Sequence, residues 1–186
     1  MIRLVIPPTS ELYTSAQIRA ALHIDTTEDD AVIMDLIKEA RKVCEDYSNM
    51  AFTTQTIDLV TDNPGRIIEL PMPPLQMIIS VSAIDDDGVE TVVDSSIYRA
   101  DTISTPGRII LKTGYSWPTH ANNSGFRVRY VAGYTSADLV PAGIKRAFKM
   151  FVAYLYENPG DIRGTAQQGQ LPDDVKMLLE MYRVYV

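Results

Sequence analysis

FRVRYVAGYTSADLVPAGIKRAFKMFVAYL, residues 126–155, carries two periodicities in succession. In residues 126–131 apolar side chains alternate with Arg127 and Arg129, so the two arginines share one face of an extended strand. Pro141 then suits the first position of a helix, because its missing N–H would be unpaired there anyway. From that point Ile144, Phe148, Phe151, Val152 and Leu155 recur at helical spacing as a buried face, with Lys145, Arg146 and Lys149 outside it. The change of period near residue 137 separates a β-rich region from a helical one, and the rest of the chain falls into place around it.

Upstream, residues 51–137 read as β-rich. Segments 55–60 and 66–70 are separated by the turn sequence Asp62-Asn63-Pro64-Gly65. Segments 77–84 and 89–93 flank Asp85-Asp86-Asp87-Gly88, whose Asp-Gly pair supplies the positive φ angles of a tight hairpin. Segments 108–112 and 126–131 are joined by a polar loop holding Trp117, Pro118 and Asn122-Asn123. Pro71, Pro73 and Pro74 forbid a continuous central strand and predict a rigid extended crossing at a sheet edge. The expectation is an antiparallel sheet or sandwich of roughly five to seven strands.

Residues 1–50 read as helical after a short arm. Thr14 or Ser15 caps a short helix ending at Leu22. A second helix of about 20 residues starts at Thr26 or Thr27, with Glu28, Asp29 and Asp30 in its first turn, where the positive helix end favours anions. Its apolar stripe is Ile33, Leu36, Ile37, Ala40, Val43, Cys44 and Tyr47, and Lys38, Glu39, Arg41, Lys42 and Glu45 fall off it. Residues 138–186 are helical again: Asn158-Pro159-Gly160 stops one helix, DIRGTAQQGQ (residues 161–170) reads as a loop, and Leu171-Pro172-Asp173 opens a last helix with Val175, Leu178, Leu179 and Tyr182 on one side. The predicted fold class is α+β. The N- and C-terminal helical parts, 1–50 and 138–186, pack as one small bundle and form one structural domain, with 51–137 as an inserted region of antiparallel strands.

Composition narrows the function. The 186 residues are 46% hydrophobic and 22% charged, which is a globular balance. Lys and Arg number 17 against 24 Asp and Glu, a formal net charge of −7, which disfavours a protein that works by neutralising phosphates. Cys44 is the only cysteine, so a disulfide framework or multi-thiolate zinc site is excluded, and His23 and His120 are too few for a histidine cage. No apolar run reaches the roughly 20 residues of a membrane span, and the start MIRLVIPPTSEL is broken by prolines too early for a secretory leader. The expectation is a soluble protein made in a reducing compartment.

Catalytic motifs are missing: there is no GxxxxGK[ST], GxGxxG after a strand, HExxH or GxSxG. Cys44 lies in the apolar stripe and reads as a buried, inert thiol. His23 and His120 read as capping or surface residues. The Asp85–Asp87 run lacks the alternating ligands and closing Glu of a calcium loop and reads as a solvated hairpin tip. No catalytic, cofactor-binding or metal-binding residues are therefore expected, and no cofactor. Charge is uneven along the chain: residues 1–62 hold 11 acids and 5 bases, residues 63–137 hold 7 and 6, and residues 138–186 hold 6 and 6. That asymmetry suits either subunits meeting head to tail or an ordinary mixed-charge surface. The ending Tyr182-Arg183-Val184-Tyr185-Val186 has two readings, anchors for a partner or side chains folded back onto the chain's own core.

In order, the chain shows Pro7-Pro8, Leu22-His23-Ile24-Asp25, Glu28-Asp29-Asp30, a long helix to Tyr47, Thr54-Gln55-Thr56 and Ile68-Glu69-Leu70-Pro71-Met72-Pro73-Pro74-Leu75. Then come Val81-Ser82-Ala83-Ile84, Tyr98-Arg99, Ser116-Trp117-Pro118, Val128-Arg129-Tyr130-Val131-Ala132-Gly133-Tyr134, Pro141-Ala142-Gly143-Ile144-Lys145, Tyr154-Leu155-Tyr156-Glu157-Asn158 and Tyr182-Arg183. This ordered set resembles the head–tail connector (adaptor) family of long-tailed bacteriophages and gene-transfer agents. The resemblance implies a non-enzymatic virion protein, assembled in the host cytoplasm, that forms a ring (usually twelve-fold) under the portal protein at the head–tail junction. Such a ring extends the channel through which double-stranded DNA passes non-specifically. It also docks the next component, a stopper or tail-completion protein, and has no contact with membrane. On that reading Leu179, Tyr182, Arg183, Tyr185 and Val186 engage the portal, and Glu28, Asp29 and Asp30 meet Lys145, Arg146 or Lys149 of a neighbouring subunit. The alternative is a non-catalytic assembly module from another part of a phage tail or a bacterial complex.

Overall fold

The computed structural model describes residues 1–119, 121, 125–158 and 171–185. The fold is α+β, and the chain divides into two compact units. A β unit takes Met1–Thr9, Thr54–Tyr134 and the last residues from Val184; a helical unit takes Ser10–Thr53 and Thr135–Arg183.

The β unit holds eight strands: β1 (Ile2–Ile6), β2 (Gln55–Thr61), β3 (Ile67–Leu70), β4 (Leu75–Ile84), β5 (Glu90–Val92), β6 (Tyr98–Asp101), β7 (Gly107–Leu111) and β8 (Phe126–Ala132). They form a five-stranded sheet ordered β1-β2-β8-β4-β5 and a three-stranded sheet ordered β3-β7-β6, antiparallel throughout. Alternation explains the faces: Phe126, Val128, Tyr130 and Ala132 of β8 are buried, while Arg127, Arg129 and Val131 are not. Ile57 and Val81 join the first set in the core, with Ile68, Leu70, Ile109 and Leu111 from the smaller sheet. Trp117 lies in the loop between β7 and β8, as expected, and packs half-buried against this core. Its ring lies 4.9 Å from that of Phe126 and 6.2 Å from that of Tyr98, and its indole N–H donates to the Gly65 carbonyl at 2.9 Å.

Two sequence expectations are corrected here, and a third is made specific. The short N-terminal arm is a strand, because β1 pairs with β2 from Ile2 opposite Leu59 to Ile6 opposite Thr56. The proline segment is a bend rather than an extended crossing: Met72 takes φ 60°, and the chain passes from the edge strand β3 into β4, which lies inside the larger sheet. In the β4–β5 hairpin only Gly88 has positive φ, at 81°. The Gly88 N–H donates to the Asp85 carbonyl at 3.0 Å and the Asp85 N–H to that of Val89 at 3.1 Å, a three-residue loop closed by a left-handed glycine.

The helical unit comprises α1 (Ser15–Leu22), α2 (Asp30–Ser48), α3 (Ala142–Glu157) and α4 (Asp173–Glu180). Thr14 caps α1 in a reciprocal box with Gln17, and His23 ends it in the left-handed conformation at φ 57°. α2 starts at Asp30, later than the threonines suggested, because the Thr26 hydroxyl accepts the Glu28 N–H in a turn that precedes the helix. Ile33, Ile37, Ala40 and Cys44 of α2 pack in a core with Ile144, Phe148, Phe151 and Val152 of α3 and Val175 and Leu179 of α4. Each of these larger side chains contributes roughly 1.5–3 kcal/mol by leaving water. The expected stop at Pro159-Gly160 and the loop over residues 161–170 lie outside the described residues.

Candidate functional site

Cys44, His23 and Asp85 each have a structural setting. Cys44 is fully buried, and burial, aided by the adjacent Glu45 charge, pushes its thiol up to about 12. The His23 backbone N–H donates to the Arg19 carbonyl as a helix cap, and His120 lies outside the described residues. Asp85 spends one carboxylate oxygen on the N–H groups of Asp87 and Val89, at 3.0 and 2.8 Å, which fixes the hairpin tip. Among the described residues no three His, Cys, Asp or Glu side chains gather as a metal site, and no helix is long and apolar enough to cross a membrane.

The acidic trio before α2 is divided. Asp30 binds the Arg19 guanidinium at 2.7 Å, and Asp29 accepts the Tyr156 hydroxyl at 2.7 Å, so both carboxylates hold the helical unit together. Glu28 alone of the three is exposed. On α3, Arg146 is exposed, Lys145 reaches the Asp138 carbonyl at 3.4 Å, and the Lys149 ammonium lies 5.4 Å from the Tyr13 ring centre. Among the described residues no ion pair joins the acidic trio to the basic one.

The C-terminal group is divided as well. Leu179 is fully buried, one turn after Val175 on the apolar stripe of α4, so it anchors the helix and is not available for the partner contact expected of it. Tyr182 lies against α3, where a β-carbon at Gly143 would come within 2.6 Å of its hydroxyl. Arg183 stacks 5.0 Å from the Tyr47 ring centre and approaches Glu180 at 3.4 Å. Of the two tyrosines read as able to fold back, Tyr182 and Tyr185, the folded-back reading describes Tyr182. Tyr185 is 72% exposed, and Val186 lies outside the described residues.

Two ionic clusters were not legible in the sequence. Arg41 donates to Glu11 at 2.8 Å and to Glu45 at 2.9 Å, and Glu45, read as off the apolar stripe, is 1% exposed. On the face of the larger sheet that carries both arginines, the buried Asp58 receives a two-pronged pair from Arg129, at 2.7 and 2.8 Å, while Arg127 binds Glu90 at 2.8 Å. The Arg129 hydrogen bonds, working against burial, hold the Asp58 carboxyl below the usual carboxylate range. The alternation of Arg127 and Arg129 gave their shared face. The acids opposite them follow only from the strand register, Asp58 facing Arg129 across β2 and β8.

These features define the class: a two-unit α+β protein whose polar side chains are organised into structural clusters and exposed edges. The chain belongs to the head completion protein family, whose model matches residues 11–185. Among solved structures it is similar to a chain of the neck of an empty GTA particle computed with C6 symmetry, with TM-score 0.80 and 22% identity, covering 100% of this chain and 97% of that one. It is likewise similar to a chain of the virion of a native gene transfer agent (GTA) particle, TM-score 0.78, and to one of the neck of a native GTA particle computed with C12 symmetry, TM-score 0.75. Identity and coverage are the same in both, 22%, 100% and 97%. At that identity the likeness establishes the fold. No curated protein sequence matches the chain.

Proposed function

We propose that the protein is a structural, non-enzymatic component of a virion head–tail junction. It assembles as a ring, twelve-fold, beneath the portal protein, extends the channel for double-stranded DNA and presents a docking surface to a stopper or tail-completion protein. The observation that carries this reading is full-length similarity to a chain from a particle neck, in a chain that belongs to the head completion family. Tyr185 and Val186 are the proposed portal contacts, with Leu179, Tyr182 and Arg183 preceding them in the chain. Glu28 and Arg146 are the proposed subunit contacts, with Lys145 and Lys149 beside Arg146 and with Asp29 and Asp30 positioning Glu28.

The test is electron microscopy of the full chain mixed with its purified portal protein. A ring stacked coaxially on the portal is expected, and Tyr185→Ser should weaken attachment without altering the far-ultraviolet circular dichroism. Particles that join heads to tails without this chain would overturn the reading.

A further inference from the structure

The two edge strands of the three-stranded sheet carry unlike features. Beyond β6, in its loop to β7, Ile103 is 93% exposed, the most exposed large apolar side chain among the described residues. The loop that presents it is tightly held. One Asp101 carboxylate oxygen accepts the N–H groups of Ile103 and Ser104, at 3.2 and 3.1 Å. The other accepts the Ser104 hydroxyl at 2.7 Å and the Arg108 guanidinium at 2.9 Å, and Arg108 also donates to the Ser104 hydroxyl oxygen at 2.8 Å. The backbone that carries Ile103 is therefore already ordered, so a partner that covers the side chain need not also order the loop.

Along β3, the other edge strand, runs a groove of about 600 Å³ whose apolar lining includes Met1, Val60, Pro64, Ile67 and Pro71. Met1 is 81% and Ile67 53% exposed, so much of that apolar surface faces water. β7 separates β3 from β6, and at 93% exposure Ile103 does not fill the groove of its own chain. In the groove the carboxylates of Asp62 and Glu69 stand against the single Met1 ammonium, whereas Arg99 is exposed on β6 beside the Ile103 loop. A knob and a socket on one chain can pair reciprocally across a two-fold axis or in succession from copy to copy, and the ring reading selects the second. Paired in succession, they leave one free knob and one free socket at the ends, and a ring closes when those meet.

We propose that Ile103 of one copy seats in the β3-side groove of the next copy, forming a head-to-tail contact between successive subunits of the ring. The proposal rests on the ring reading given above.

Ring formation by the full-length wild type and by Ile103→Asp is compared on the purified portal protein by electron microscopy and by its concentration dependence. Since Ile103 is almost wholly exposed, thermal unfolding of the variant should match wild type. The expected result is a rise of at least about tenfold in the concentration needed for rings, with Ile103→Leu close to wild type. In a second arm, oxidation of the Ile103→Cys, Ile67→Cys double variant should give a ladder of covalent multimers, whereas either single variant should stop at dimers; Cys44 is buried and does not compete. Rings that form equally well with Ile103→Asp, or a double variant that gives no ladder, would overturn the contact and leave the ring reading standing. Failure of the wild type itself to form rings would overturn the ring reading, and this contact with it.

Discussion

The carboxylate of Glu45, near the end of α2, accepts the backbone N–H of Phe52 at 2.7 Å, seven residues further along the chain. The same side chain binds Arg41 at 2.9 Å, and the Glu45 carbonyl receives the N–H groups of Asn49 and Met50. One residue thus closes the helix and fixes the path that follows it. Both charges are nearly removed from water, so deleting one leaves the other poorly compensated. Glu45→Ala should cost about 3 kcal/mol in urea unfolding, reduced from larger values only because Arg41 keeps Glu11. Glu45→Gln, which keeps an acceptor for Phe52, should cost about 1–2 kcal/mol.

Asp58 gives the protein an acid-sensitive joint. Its carboxyl titrates lower in the folded chain than in the unfolded one, held down chiefly by the Arg129 hydrogen bonds. Its stabilisation is therefore complete above the unfolded value, near pH 4, and is lost as pH falls through the lower folded value. Asp58→Asn should cost about 1–2 kcal/mol at neutral pH, discounted because Arg129 is partly in solvent. Denaturant midpoints measured from pH 6 to pH 2 should fall less steeply for the variant than for wild type.

Cys44 should resist alkylation by iodoacetamide at pH 8 in the native protein, since its thiol is buried and its titration lies near pH 12. Labelling should follow global unfolding, rising in step with the urea transition monitored by fluorescence. Rapid labelling of the native protein would show that the helical core opens locally.

Gly143 and Tyr182 make a sensitive pair. Alanine usually favours a helix over glycine by roughly 1 kcal/mol, but here its methyl group would sit 2.6 Å from the Tyr182 hydroxyl. Gly143→Ala should expel the ring, seen as raised tyrosine solvent exposure with little net change in melting temperature.

The proposed subunit contact predicts a charge swap. Glu28→Arg and Arg146→Glu should each weaken ring formation by several-fold, and the double variant should regain most of the loss at low salt. Reversing Asp29 or Asp30 has a different signature: loss of the Tyr156 or Arg19 contact should lower the melting temperature of the monomer.

How much of this was legible in the sequence depended on whether the signal was local. The Thr14 cap, the α2 and α3 stripes and the alternation in β8 each follow from neighbours a few residues apart, and the structure contains all of them. β1 was hidden because its five residues at a sheet edge bury no alternating face, and its pairing with the recognised strand 55–61 joins residues at least 50 apart. Glu45 was hidden because its burial depends on Glu11 and Phe52, at 34 and 7 residues' distance, and a carboxylate on a helix is ordinarily solvated. The tight hold on Ile103 likewise comes from Asp101 and Arg108, which meet only after β6 and β7 pair.

β8 sits between β2 and β4 in the larger sheet, bonded to both. A ribosome making this chain therefore exposes two strands that share a missing neighbour until residue 132 has left the exit tunnel. During that interval the unpaired edges of residues 55–61 and 75–84 are open to other nascent chains. Slower elongation over residues 85–125 would lengthen the interval, so yield of native protein in a heterologous host should depend more on that stretch of the message than on either helical segment.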